Sequence, residues 1–280
     1  MSGQHLRVFP RKTSYTPTDP AVRFGPPGLF DRPESVDVSV TFTWDIPRGE
    51  WLRHQWEMVC DRVRIGGPAF GDPGGAFVPG RYVREGVTIT SRGCPCRCSF
   101  CYVPKREGRI RELETIHPGN VVNDNNLLAC SSDHLERVWA MLRTQGDIRF
   151  PGGLDATRLK TDHIMALRGL SVRALWFAFD SGEKWPHVQN AIQRCREYWT
   201  RDRLRCYVLM GYTGDTIDEA EGRLRWVWDQ GAIPFAMLYC DDNGKTRGGE
   251  WRRLQKIFAR PAILRGICRD GRDWRSVGEA

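Results

Sequence analysis

The stretch "VTITSRGCPCRCSFCYVPKREGR" (residues 87–109) places four cysteines within eight positions, directly behind a short alternating β-branched run. Val87–Thr90 has strand character. The thiols that follow are Cys94, Cys96, Cys98 and Cys101. Cys94, Cys98 and Cys101 are spaced C-x3-C-x2-C. Thiolates are the usual ligands of iron–sulfur clusters. Three of them serve three irons of a [4Fe–4S] cube and leave one iron for another ligand. A fourth thiolate, Cys96, would close the cube and make an electron carrier. Disulfides within so tight a loop are disfavoured by bridge geometry.

The rest of the chain sets the context. It has 280 residues, 27% of them charged, and a net charge of +8. No run is long and apolar enough to cross a membrane. The N-terminus has no apolar core of signal-peptide type. Both point to the cytoplasm, where thiols stay reduced. Crowded cysteines in such a chain indicate metal binding or redox chemistry. A zinc-stabilised nucleic-acid module is one alternative. Zinc sites usually draw on separated C-x2-C pairs, and there is no second pair.

Working outward, residues 1–34 are rich in Pro, Gly and polar residues and read as an irregular arm. A strand at 36–44, a helix at 49–62 and a strand at 63–71 make a short βαβ-like extension. Residues 1–84 are thus set apart from the main body, 85–240. In that body, candidate strands begin at residues 87, 120, 147, 172, 204 and 233. The spacing of about 30 residues suits strand–helix–strand units. Helical stripes lie between them: Leu135, Val138, Trp139 and Leu142 behind an Asp133–Glu136 capping pair, and Ile217, Ala220, Leu224, Val227 and Trp228 behind Thr216–Glu219. Six such units predict an α/β fold with a partial (β/α)6 TIM-like barrel, its site at the C-terminal strand ends.

Residues 241–280 form a basic tail of net charge +4, read as helical. Arg247, Arg252, Arg253, Lys256, Arg260 and Arg265 dominate it. An anionic partner, including nucleic acid, is compatible with this. A solvated helix face is the simpler reading, because no aromatic row interleaves the charges.

The cysteine loop resembles the signature of the radical S-adenosylmethionine (SAM) superfamily, with Phe100 at the aromatic position before the last cysteine. The resemblance covers roughly residues 85–240. It implies that Cys94, Cys98 and Cys101 hold a [4Fe–4S] cluster and that the open iron binds the amino and carboxylate groups of SAM. Reductive cleavage would then give a 5′-deoxyadenosyl radical that abstracts hydrogen from a substrate. A reductant such as flavodoxin or ferredoxin would supply the electron. "GYTGDT" (211–216) is similar to the superfamily's glycine turn after the fifth strand, which makes Met210 and Gly211 candidate nucleoside contacts. The superfamily's acidic turn after strand two is replaced here by "NDNN" (123–126). Asp124, Asn125 and Asn126 are its candidate substitutes. Phe100 and Tyr102 on the loop, Asp155 after strand three and Asp180 after strand four complete the candidate ligand set. For Asp155 and Asp180, helix capping or an ion pair explains the residue equally well.

Cys130 and Cys240 fall near the ends of strands two and six. Each is a candidate hydrogen donor to a product radical, with plain packing as the alternative. Cys60, Cys195, Cys206 and Cys268 are read as packing residues. "CYVPKREGR" also resembles tRNA methylthiotransferases, but only Cys60 precedes the loop, too few for their second cluster. "VRIGGPAFG" (63–71) resembles a strand of cobalamin-binding domains. The D-x-H-x-x-G ligand motif is missing, so no cobalamin is expected.

Overall fold

The computed structural model describes residues 4–180, 184–271 and 273–276; the tail's Arg272 and residues 277–280 lie outside it. The chain divides into two compact units. One comprises residues up to 119 together with 242–244, and the other 120–241 with 245 onward.

The first unit begins with a parallel four-stranded sheet: β1 (His5–Val8), β2 (Val22–Arg23), β3 (Ser35–Ser39) and β4 (Val63–Gly66), in the order β2-β1-β3-β4. One helix, α1 (Ile46–Glu57), joins β3 to β4. Its Leu52 and Trp56, one turn apart, are fully buried against Leu6, Val8, Val36, Val38 and Val40. Gly49 is required on this face, because a Cβ there would stand 2.5 Å from the Val40 side chain. The extension is therefore larger than the βαβ unit expected, and the irregular arm carries β1 and β2. Both are short, four and two residues, with prolines between and beside them, so they hold no period long enough to read. The helix starts and ends earlier than expected, with Pro47 in its first turn, where a missing N–H costs nothing.

The same unit continues through β5 (Val87–Thr88), β6 (Ser91–Arg92), α2 (Val103–Arg106) and β7 (Arg111–Glu112). β6 and β7 pair antiparallel, Ser91 opposite Glu112 and Arg92 opposite Arg111.

The second unit is a repeating α/β structure. Its strands are β8 (Val121–Val122), β9 (Ile148–Arg149), β10 (Val172–Phe179), β11 (Leu204–Met210) and β12 (Ile233–Leu238). They run parallel and in chain order across the sheet. Helices α3 (Ser132–Leu142), α4 (Thr161–Arg168), α5 (Trp185–Arg196) and α6 (Ile217–Asp229) fill the four crossovers. Sequential parallel order with one helix per crossover is the expected consequence of right-handed βα winding. Along β11 burial alternates: Leu204, Cys206, Val208 and Met210 are buried, whereas Arg205, Tyr207 and Leu209 are half-buried.

All six strand candidates of the main body are strands, in an open parallel sheet; the α/β class is as expected, and the partial barrel is not confirmed. β12 has a strand partner on one side only, and helices α7 (Glu250–Phe258) and α8 (Pro261–Asp270) follow it instead of a further strand. Closure requires every strand to have two neighbours. Among the described residues the parallel sheet is open.

The capping boxes divide. Thr216 and Glu219 cap α6 reciprocally as expected. At α3 the cap is Ser131, whose Oγ accepts from the His134 N–H, rather than Asp133.

Candidate functional site

In the first unit, the cysteine loop is the tip of the β6–β7 ribbon. The ribbon is extended by backbone bonds from Leu113 N to Thr90 O (2.9 Å) and from Cys94 N to Gly108 O (3.1 Å). Gly93 has φ +77°, and a Cβ there would lie 2.2 Å from the Arg109 carbonyl oxygen. Only glycine fits this crossing. The Gly93 N–H donates to Glu107 Oε2 at 2.8 Å, and Arg106 pairs with the other Glu107 oxygen. Glu107 is buried. The loop is thus pinned at its entry by a buried carboxylate from its exit.

Within the loop, Cys101 N donates to Cys98 O at 3.0 Å, forming a tight turn between two of the expected ligands. Cys94, Cys96, Cys98 and Cys101 are all half-buried and none is in a disulfide. Pro95, Arg97 and Ser99 between them are exposed. Burial does not set Cys96 apart from its neighbours. Phe100 and Tyr102 are half-buried, and the Arg106 guanidinium stands 5.9 Å from the Tyr102 ring.

In the second unit, the remaining candidates fall at the C-terminal ends of the parallel strands. Asp124 and Asn126 behind β8 are buried, and Asn125 between them is half-buried. Gly152 lets the next strand's loop approach this turn, since its Cβ would lie 2.1 Å from the Asp124 carbonyl oxygen. Asn126 Nδ2 donates to Asp155 Oδ2 at 3.0 Å. Asp155 also caps the short turn Ala156–Arg158 through the Thr157 N–H. Burial alone would push its carboxyl up, but the hydrogen bonds from Thr157 and Asn126 hold it below the usual carboxylate range. Asp180 behind β10 pairs with Lys184 at 3.0 Å.

Behind β11, Gly211 has φ +77° and its N–H donates to Asp215 Oδ2 at 2.7 Å. Asp215 also receives Arg223 at 2.8 Å. Arg247 reaches the turn's backbone at Asp215 O, 2.9 Å away, and lies over the Trp251 ring at 4.8 Å. Met210 is fully buried in the helix-facing row of β11, so the atoms it offers a ligand are those of its backbone. Its carbonyl accepts from Tyr239 N at 2.9 Å. The rings of Tyr212 and Tyr239 meet edge-on at 4.9 Å.

Cys130 ends the short turn Leu127–Ala129 and is half-buried. Cys240 pairs in an isolated bridge with Thr246. Burial and the adjacent Asp241 push its thiol up. Burial pushes Cys195 up to about 12 and Cys268 up to about 11, and raises Cys206 as well. These three are inert thiols of the core and its margin.

Sequence reasoning missed Glu107, Gly93, Asp215 with Arg223, and the tyrosine pair. A glycine directly before the first cysteine was the available signal for Gly93.

The donor set suits an iron–sulfur cube: cysteine side chains on a pinned loop, half-buried and within reach of solvent. Among the described residues no three or more His, Cys, Asp or Glu side chains are arranged to hold a metal ion. A cube offers each thiolate a separate iron, so its ligands need not converge on one point. Single-ion zinc coordination gains no support from this arrangement.

No protein-family model matches the chain, and no curated protein matches it in sequence. Among solved structures it is similar to the radical S-adenosylmethionine methyltransferase TsrM from Kitasatospora setae, determined with cobalamin and a [4Fe–4S] cluster bound. The TM-score is 0.60 at 14% identity, over 84% of this chain and 75% of that one. What is shared at that identity is the fold.

Proposed function

We propose that this chain is a radical SAM enzyme in which Cys94, Cys98 and Cys101 hold a [4Fe–4S] cluster. The carrying observation is the three-thiol spacing on a loop pinned through Gly93 and Glu107. The fold shared with a radical SAM methyltransferase supports it. When bound, the cluster supplies the electron that cleaves SAM reductively and opens hydrogen abstraction from a substrate.

The chain's own residues have separable roles in this reading. The Gly93–Glu107 contact fixes the direction in which the loop leaves β6. Phe100 and Tyr102 flank the last ligand. The turn at Asp124, Asn125 and Asn126, braced by Asp155, presents polar groups to the SAM ammonium. Gly211 and the Met210 backbone edge the nucleoside, with Asp215 holding that turn. Asp180 is held by Lys184 as a further polar contact. Cys240, whose thiol is pushed up by burial and Asp241, is the first candidate to return a hydrogen atom, and Cys130 is the second. In functional terms residues 1–84 are an extension, 85–240 the catalytic part and 241–280 a basic tail. A flavodoxin- or ferredoxin-like donor in a reducing compartment supplies the electron.

The test is anaerobic reconstitution with iron and sulfide, followed by reduction in the presence of SAM. Methionine and 5′-deoxyadenosine are expected. An intact, reducible cluster that yields neither sinks the enzyme reading.

A further inference from the structure

We propose that the face of the β10–β12 sheet turned away from α5 and α6 binds a flat aromatic ring carrying an anionic group. The parallel register builds this face. Trp176 stands beside Arg205, Ala178 beside Tyr207, Tyr207 beside Phe235, and Leu209 beside Met237. The alternate row, Phe177, Cys206, Val208 and Ala236, is buried on the other face. That face belongs to the helices: Phe179 packs its ring against Trp185 of α5 and Trp226 of α6.

Three rings make the platform. Trp176 and Tyr207 stack at 4.4 Å, with planes 23° apart. Phe235 meets both edge-on, at 5.6 and 5.8 Å. Tyr207 is fixed by its hydroxyl, which donates to the Pro151 carbonyl at 2.9 Å. All three rings are half-buried, and Met237 beyond them is 42% exposed. Fixed, partly open rings of this kind favour a further flat ring over an aliphatic chain.

The charge lies at one end of the platform. The Arg205 guanidinium stands 5.4 Å from the centre of the Trp176 ring. Arg149 shares the register of Ala174, two residues before Trp176. Burial lowers the Arg205 guanidinium most, Asp202 works against this, and Arg173 and Arg149 add a smaller repulsion. Among the described residues none of the three has a carboxylate ion-pair partner, and Asp202, the acid nearest in effect, is paired with Arg265 at 2.8 Å. An anion at the strands' N-terminal ends would relieve this repulsion. It would lay its ring over Trp176 and Tyr207, with the far edge toward Leu209, Met237 and the C-terminal strand ends. As a binding site this stands without the cluster; as a statement of substrate class it rests on the radical SAM reading.

The carboxylate of an arene and the phosphate of a nucleotide share this chemistry, and two probes separate them. The full chain, without iron, is titrated calorimetrically with 2-naphthoate and with adenosine 5′-monophosphate. The neutral partners 2-naphthalenemethanol and adenosine serve as references. At least one anionic probe should saturate, on the order of tenfold tighter than its neutral partner, as a charge-assisted contact implies. Naphthoate alone assigns an aromatic acid, the nucleotide alone assigns a nucleotide, and both together assign the shared ring-plus-anion site. Arg205→Gln and Trp176→Leu should each weaken binding about tenfold. Arg149→Gln, at an exposed position, should weaken it several-fold with the melting temperature unchanged, which guards against loss of fold. Absence of saturation by both anions, equal binding of anion and neutral partner, or parental affinity in all three variants overturns the proposal. SAM cleavage by the reconstituted protein is measured separately, so failure of this site and failure of the enzyme reading give different results.

Discussion

The Asn126 side-chain amide donates to Asp155 Oδ2 at 3.0 Å, tying the turn behind β8 to the turn behind β9. Asp155 titrates below its ordinary 3.8 in the folded chain. A carboxyl held low in the fold contributes stability that is fully present above its unfolded value and is lost as pH falls through its folded value. Asn126→Ala should therefore cost about 1–3 kcal/mol near neutrality, the value of a hydrogen bond to a charged partner. The part of that cost owed to the carboxylate charge should shrink below about pH 4. Urea unfolding of parent and variant at neutral pH and at about pH 3 checks this, and an unchanged gap refutes the assignment to the carboxylate.

Gly93 and Glu107 should control cluster content without being ligands. Gly93→Ala forces a Cβ to within 2.2 Å of the Arg109 carbonyl oxygen and demands φ +77° of an alanine. Strain of this kind costs on the order of 1–3 kcal/mol. Glu107→Gln loses the charge that pairs with Arg106 and keeps an oxygen able to accept from Gly93 N–H. The alanine variant should lose most of its reconstituted iron and sulfide, and the glutamine variant a smaller share. Elemental analysis after reconstitution measures both. Full occupancy in Gly93→Ala would show that the loop does not depend on this crossing.

The ranking of these effects also explains what the sequence allowed to be read. β10 and β11 were legible to the residue because each is a run of seven or eight residues whose only charged member is the arginine at its second position, which leaves few alternatives. β6 and β7 were not, because a two-pair ladder has no period. The thiol spacing is chemistry and can be read locally. The Glu107 contact joins residues 14 apart and depends on a positive φ, which spacing does not encode. The same limit moved the α3 cap from Asp133 to Ser131, since backbone angles rather than residue type choose between polar candidates two residues apart. The helical tail was legible after β12, where α7 and α8 follow the last strand and the sheet stays open.

Cys240 should react slowly with alkylating agents. Burial comes first and Asp241 second in raising its thiol, so the thiolate is scarce at neutral pH. Asp241→Asn removes the nearby negative charge and should speed iodoacetamide labelling of Cys240 by a few-fold at pH 8, as read by peptide mass spectrometry. Because the thiol is held protonated, Cys240→Ser should leave 5′-deoxyadenosine formation intact while altering how hydrogen returns to product. Loss of SAM cleavage itself in that variant would remove Cys240 from the donor role and place it in the SAM site.

Cys96 and Cys98 are both half-buried and differ chiefly in spacing, so substitution must separate them. If Cys94, Cys98 and Cys101 are the ligands, Cys96→Ala keeps close to the parental four irons per cluster site and SAM cleavage within about threefold, the small effect expected of a substitution that removes no cluster ligand. Cys98→Ala removes a ligand and should abolish both. If Cys96 were the fourth ligand, its loss would open an iron rather than leave the cluster as it was. The parent would then reduce and reoxidise without cleaving SAM, and its electron paramagnetic resonance spectrum would not change when SAM is added. A SAM-induced spectral change retained in Cys96→Ala and absent in Cys98→Ala therefore decides between an enzyme with an open iron and a closed electron carrier.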